Sequence, residues 1–215
     1  MAVPTPILGP LDIEIDSRRG LALIDVDEVV GLFIAGFDRF LRGRGHEFRL
    51  LNFGLFNNVF AAGAYEAAPK ETAKALFDEF FAFGCGDIDP APGAADGLRS
   101  LAASADVVIL TNAPETARTL RGDWLKRHGM DYPMIINKGP KGPAVAAMAS
   151  RTQGPVLFVD DLIPNLDSVA EAAPRVARVQ MVADEGLRRL APTSPLHRRI
   201  DDWEALVAHA RSEVF

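Results

Sequence analysis

Four acidic residues stand where apolar runs end, and their placement suits a site that handles a cation. The run Leu21-Ala22-Leu23-Ile24 reads as a strand buried on both faces, and it leads directly into Asp25-Val26-Asp27. A second run, Val156-Leu157-Phe158-Val159, ends in Asp160-Asp161. Taken singly, each pair would serve as a turn or a helix cap, because aspartate accepts backbone N–H bonds readily. Carboxylates gathered at the ends of neighbouring buried strands are different. They repel one another and resist losing water unless a cation or a proton shares the site. Mg2+ suits such a place, since it takes oxygen ligands and needs only one or two carboxylates beside phosphate and water.

Two further groups fit the same chemistry. Thr111-Asn112 follows the apolar stretch Val107-Val108-Ile109-Leu110, and a hydroxyl and an amide at a strand end can both bond an anionic oxygen. With Pro114 and Glu115 next, capping the following helix is the plainer role for Asn112. Lys138 and Lys141 lie in Asn137-Lys138-Gly139-Pro140-Lys141-Gly142-Pro143, a loop that opens a helix. A lysine there can reach a phosphate and offset carboxylate charge, and one of the two is expected to do so.

The order of these pieces resembles the haloacid-dehalogenase superfamily, over about residues 21–173. The likeness rests on Asp25-Val26-Asp27-Glu28-Val29-Val30, Thr111-Asn112, Lys138 or Lys141, and Asp160-Asp161 with Asn165 four residues on. It implies a Rossmann-like parallel sheet with a small helical cap inserted after the first motif. It also implies roles for the residues. Asp25 would be the nucleophile that forms an aspartyl-phosphate. Asp27 would move the proton and lend its backbone carbonyl to Mg2+. Thr111, Asn112 and a lysine would hold the phosphoryl group; Lys141 is preferred because it opens the helix better than Lys138. Asp161 would be the main metal ligand, with Asp25 also at the metal, Asp160 as a second or outer-shell acid and Asn165 in support. Glu28 stands where the family often has glycine. An acid at Asp27 favours phosphate esters, because a halide leaving group needs no proton. The expectation is therefore a Mg2+-dependent phosphatase acting on a small phosphorylated metabolite. A phosphotransferase or mutase using the same intermediate, and a non-catalytic scaffold of the same fold, are the alternatives.

The elements that must position these residues alternate. Strands are expected at residues 21–24, 107–110, 134–136, 156–159 and 176–182, with helices at 94–103, 116–128, 143–150 and 165–173 between them. That alternation indicates an α/β fold with a parallel sheet covered on both faces. Residues 11–16 alternate apolar and acidic and predict an edge strand or a hairpin arm. Between residues 31 and 92 no strand is legible, and 11 of the chain's 13 phenylalanines fall there. Helical periodicity in residues 33–41 and 70–83 predicts a helical insert at 31–91, with the core formed by 1–30 and 92–215. The aromatics read first as a second core, some of which also roof the site. A closing helix is expected around residues 203–210.

Composition bounds the partners. At 215 residues the chain can bury a sizeable core. A net charge of −6 argues against nucleic acid or an anionic membrane surface as partner. No apolar run approaches the ~20 residues of a membrane span. The first ten residues carry three prolines and no basic start, which predicts a loose arm and not a signal peptide. The single cysteine, Cys85, cannot form an internal disulfide and points to the reducing cytoplasm. Nucleotide P-loop, GxSxG and HExxH patterns are absent. A monomer or homodimer is expected, the latter through the aromatic insert.

Overall fold

The structure is a computed structural model and describes residues 12–215; the expected N-terminal arm lies outside them. Strand β1 (Gly20–Ile24) is apolar and buried along its whole length. It forms the middle of a six-stranded sheet with β4 (Ala105–Thr111), β5 (Met134–Ile136), β6 (Val156–Asp160), β7 (Ala177–Gln180) and β8 (Arg198–Arg199). The order is β5-β4-β1-β6-β7-β8, and every pairing is parallel. The chain builds outward from β1 through β4 to β5, then crosses back to β6 on the other side. Open α/β sheets place ligands where the strand order reverses in this way, outside the carboxyl ends of the strands. Register matters as much as order. Ile24 lies level with Ile109 on one side and Val159 on the other, so Asp25 and Asp160 emerge side by side.

Both faces of the sheet are buried. Ala22, Ile24, Ile109, Leu157 and Val159 face one core, while Leu21, Leu23, Val108, Leu110 and Phe158 face the other. The first is covered by α3 (Ala94–Ala102), α4 (Arg118–Arg127) and α8 (Trp203–His209); the second by α5 (Gly142–Ala149) and α6 (Ile163–Ala172). Two of the short elements begin on aspartate caps. Asp184 accepts from Leu187 N at the start of α7 (Glu185–Arg188), and Asp202 accepts from Ala205 N at the start of α8.

The segment after β1 holds α1 (Phe33–Arg42) and α2 (Lys70–Phe83), as the periodicity predicts. Their phenylalanines pack ring against ring: Phe33 and Phe37 each lie 5.3 Å from Phe80, centroid to centroid. Between the helices runs a hairpin that the sequence reading lacks, β2 (His46–Phe48) antiparallel to β3 (Val59–Ala61). Three-residue strands offer too few positions for alternation to register. The chain leaves and re-enters the sheet side by side, Leu32 N bonding Asp89 O and Ala91 N bonding Val30 O. Both tryptophans pin this crossing, Trp203 Nε1 donating to Val29 O and Trp124 Nε1 to Ile88 O.

The edge strand expected at residues 11–16 does not form; Leu11 lies outside the described residues, and 12–16 are irregular. Ile13 and Ile15 do turn toward the core, which is the alternation the sequence displays. Their backbone is held by side chains instead of a ladder: Arg151 Nη2 donates to Ile13 O and Asp106 Oδ2 accepts from Asp16 N. Among the described residues, no helix is long and apolar enough to cross a membrane.

Candidate active site

Asp25 follows β1 and continues its pairing, its N–H donating to Val159 O at 3.0 Å. Asp160 is the last residue of β6, and Asp161 comes next. Carboxylate oxygens of Asp25, Asp160 and Asp161 all lie within 4.8 Å of one another, and all three residues are buried. One ammonium reaches into this group. Lys141 Nζ sits 2.6 Å from Asp160 Oδ2 and 2.7 Å from Asp25 Oδ1, with its side chain 1 % exposed. Asn165, on the first turn of α6, donates to both oxygens of Asp160, and Leu162 N donates to Asp160 Oδ1. Asp160 is thereby held from three sides.

Three buried carboxylates against one ammonium leave negative charge uncompensated. Burial above all raises the Asp25 carboxyl to about 7; Lys141 opposes the rise, and Asp160 and Asp27 add to it. Asp161 is likewise pushed well above the usual carboxylate range, by burial first and then by Asp160 and Asp25. Burial would lower Lys141, but Asp160 and Asp25 outweigh it and hold the ammonium charged. A divalent cation fits this arrangement. The donor set is all oxygen, as Mg2+ requires, and Asp25 Oδ1 receives no aligned hydrogen bond.

Asp27 stands apart from the triad. Its Oδ1 pairs with Arg121 Nη2 at 2.7 Å; the Arg121 side chain is fully buried and that of Asp27 is 26 % exposed. Sequence reasoning missed Arg121, because 94 residues separate the partners and nothing local in α4 marks the arginine. Asn112 lines the pocket, its amide donating to Gly139 O and accepting from Asn137 Nδ2, so Asn137 is a second unanticipated participant. Thr111 is fully buried, and its Oγ1 accepts from Ala113 N. Lys138 is exposed and lies outside the pocket lining, so geometry separates the two candidate lysines and puts Lys141 in the cluster.

Glu28 has a left-handed backbone, φ +62°, a conformation glycine adopts at no steric cost. Its buried carboxyl accepts from Ile34 N at 2.7 Å and from Asp184 N at 3.3 Å, tying the first motif to α1 and to α7. Burial raises this carboxyl to about 8, partly offset by the Ile34 bond.

Above the acids lies a cavity of about 260 Å3. Its floor includes Asp25, Asp27, Asn112, Lys141 and Asp161. Its roof comes from the segment between β1 and α3, with Phe33, Ile34, Phe53, Leu55, Phe77 and Phe81 turned toward the floor. The phenylalanines of the insert do not form a separate second core: they join the core under one face of the sheet and at the same time cover the acids, which shields them in part from water.

The same architecture recurs in solved structures. A Streptococcus pneumoniae haloacid dehalogenase-like hydrolase is 13% identical, with a TM-score of 0.58 over 90% of this chain and 98% of that one. The defluorinating L-2-haloacid dehalogenase Rha0230 is 15% identical, with a TM-score of 0.57 over 91% and 96%. The Bacillus subtilis protein YfnB, solved with bound magnesium, is 16% identical, with a TM-score of 0.59 over 89% and 98%. No protein-family profile and no curated protein matches the sequence. The fold is haloacid dehalogenase-like, as the motif order implies.

Proposed function

We propose that this chain hydrolyses a small phosphomonoester, with Asp25 as the nucleophile. The observation that carries the reading is the buried Asp25–Lys141–Asp160–Asp161 cluster opening onto a covered cavity, with a separately held acid, Asp27, two residues from Asp25. A phosphatase and a dehalogenase of this fold both need a carboxylate nucleophile. A displaced halide needs neither an acid nor a cluster of carboxylates, and both are here.

Asp25 would attack phosphorus through one carboxylate oxygen, forming an acyl-phosphate as the ester P–O bond breaks. Asp27 would give its proton to the departing alkoxide, then take one from the water that attacks the same phosphorus and frees Asp25. Arg121 engages one Asp27 oxygen only, leaving the other for this traffic. Lys141 would remain charged throughout, offsetting charge near the transferred group. Asp25, Asp160 and Asp161 would hold Mg2+, which when bound supplies positive charge to the phosphoryl oxygens.

The test is hydrolysis of an aryl phosphate with and without Mg2+, in the wild type and in Asp25→Asn. Turnover that needs Mg2+ and falls by about 10^3 or more in the folded variant is expected. Wild-type turnover in Asp25→Asn would remove the nucleophile from this role.

A further inference from the structure

The polar and apolar linings of the cavity are segregated, and that segregation restricts the leaving group. The six roof residues, Phe33, Ile34, Phe53, Leu55, Phe77 and Phe81, carry neither a charge nor a side-chain hydrogen-bonding group. Leu162 and Leu187 extend the apolar wall on the core side. The cation and the side-chain amides of the floor, the groups that could donate to a ligand, are already engaged. Lys141 is shared between Asp25 and Asp160. The Asn112 amide is bonded to Gly139 and Asn137, and Asn165 to Asp160. The Glu28 carboxyl takes the Ile34 and Asp184 amides.

Resting on the phosphatase reading, the geometry points to a phosphomonoester of an uncharged, apolar alcohol, such as a single ring or a short branched chain. A carboxylate or second phosphate on the leaving group would meet no free cation among the cavity's side chains, and would lose water without replacement. Sugar hydroxyls would be stripped of water against phenylalanine rings. An apolar group, by contrast, gains from every contact it makes with that roof. A volume of about 260 Å3, just below the ~300–1,000 Å3 typical of ligand cavities, suits a small leaving group.

Part of the roof is also braced internally. Phe53 and Leu55 sit on the loop between β2 and β3, which a fully buried side chain braces from within. Asn58 Nδ2 donates to Asn52 O at 2.8 Å and to Gly54 O at 2.7 Å. The hairpin fixes the two ends of this loop, with Arg49 N bonding Asn58 O. This loop's share of the selective surface is thus preformed.

The test uses the full-length protein with Mg2+ and two readouts. The first is kcat/KM for phenyl and benzyl phosphate against phosphoglycolate and glucose 6-phosphate. The second is calorimetric binding of benzylphosphonate against phosphonoacetate. A preference of about 100-fold or more for the apolar esters is expected, with benzylphosphonate the tighter ligand. Leu55→Arg, at a half-buried loop position that lines the cavity, is expected to narrow that preference by about tenfold or more. Equal or better turnover of the charged or sugar ester would overturn the apolar assignment while leaving hydrolysis intact. Tighter benzylphosphonate binding without turnover of any ester would remove the phosphatase reading and keep the apolar pocket. Loss of both preference and binding would refute both.

Discussion

Lys141 is a buried ammonium held between two buried carboxylates, Asp25 and Asp160. Removing one partner from such a group strands the charges that remain, at a cost of about 3–5 kcal/mol. In metal-free protein, Lys141→Ala is expected to lower the unfolding free energy by about that much in urea titrations. Lys138→Ala, at an exposed position, should stay within about 0.5 kcal/mol of wild type. Activity should follow the same order. A larger loss from Lys138→Ala would move the phosphate-facing role to that lysine. Cys85, also buried, donates its thiol to Phe81 O, and burial raises its pKa. It behaves as a packed side chain.

The elements hold the site through close approach. Gly142 opens α5 directly after Lys141, and its N–H donates to Ser168 Oγ on α6. A Cβ there would fall 2.2 Å from Ser168 O, a backbone atom that cannot swing aside. Gly142→Ala should therefore push α5 off α6, cost about 1–3 kcal/mol and lower activity by displacing Lys141. Gly122→Ala is the matched control. It lies inside α4 with nothing within 4 Å of the added methyl, and is expected to gain about 0.4–1 kcal/mol. Equal effects from the two substitutions in urea denaturation would show that the α5–α6 contact is slack. The hairpin β2–β3 illustrates a different dependence. Its strands owe their pairing to what surrounds them, such as Asp38 Oδ1 accepting from Phe48 N, and short strands of this kind leave no periodic trace.

At the scale of the whole molecule, the site is a meeting of segments brought together by the parallel sheet. The acids of β1 and β6 are neighbours because those strands pair, although 135 residues separate Asp25 from Asp160. A cation bound at that junction ties both halves of the sheet and stabilises the native state by mass action. Mg2+ at about 100 times its dissociation constant should add about 2.7 kcal/mol, a rise of roughly 5–10 °C in melting temperature for a chain of this size. Chelation should reverse the shift and Asp161→Asn should abolish it. A melting temperature indifferent to Mg2+ in the wild type would exclude the acids as a metal site.

Long apolar runs made β1, β4 and β6 readable from the chain alone, and with them the residues that stand at their carboxyl ends: Asp25, Thr111, Asp160 and Asp161. A buried strand must be apolar throughout, so the first acid after it marks where it reaches the rim. Strand register, helix approach and loop closure carry no such local mark. Only the tertiary structure set Lys141 between Asp25 and Asp160, paired Asp27 with Arg121, and brought Phe53 and Leu55 over the acids. It also turned residues 12–16 into an irregular segment in place of a strand. Each of these outcomes depends on atoms far apart in the chain, whose meeting is set by the packing of the whole.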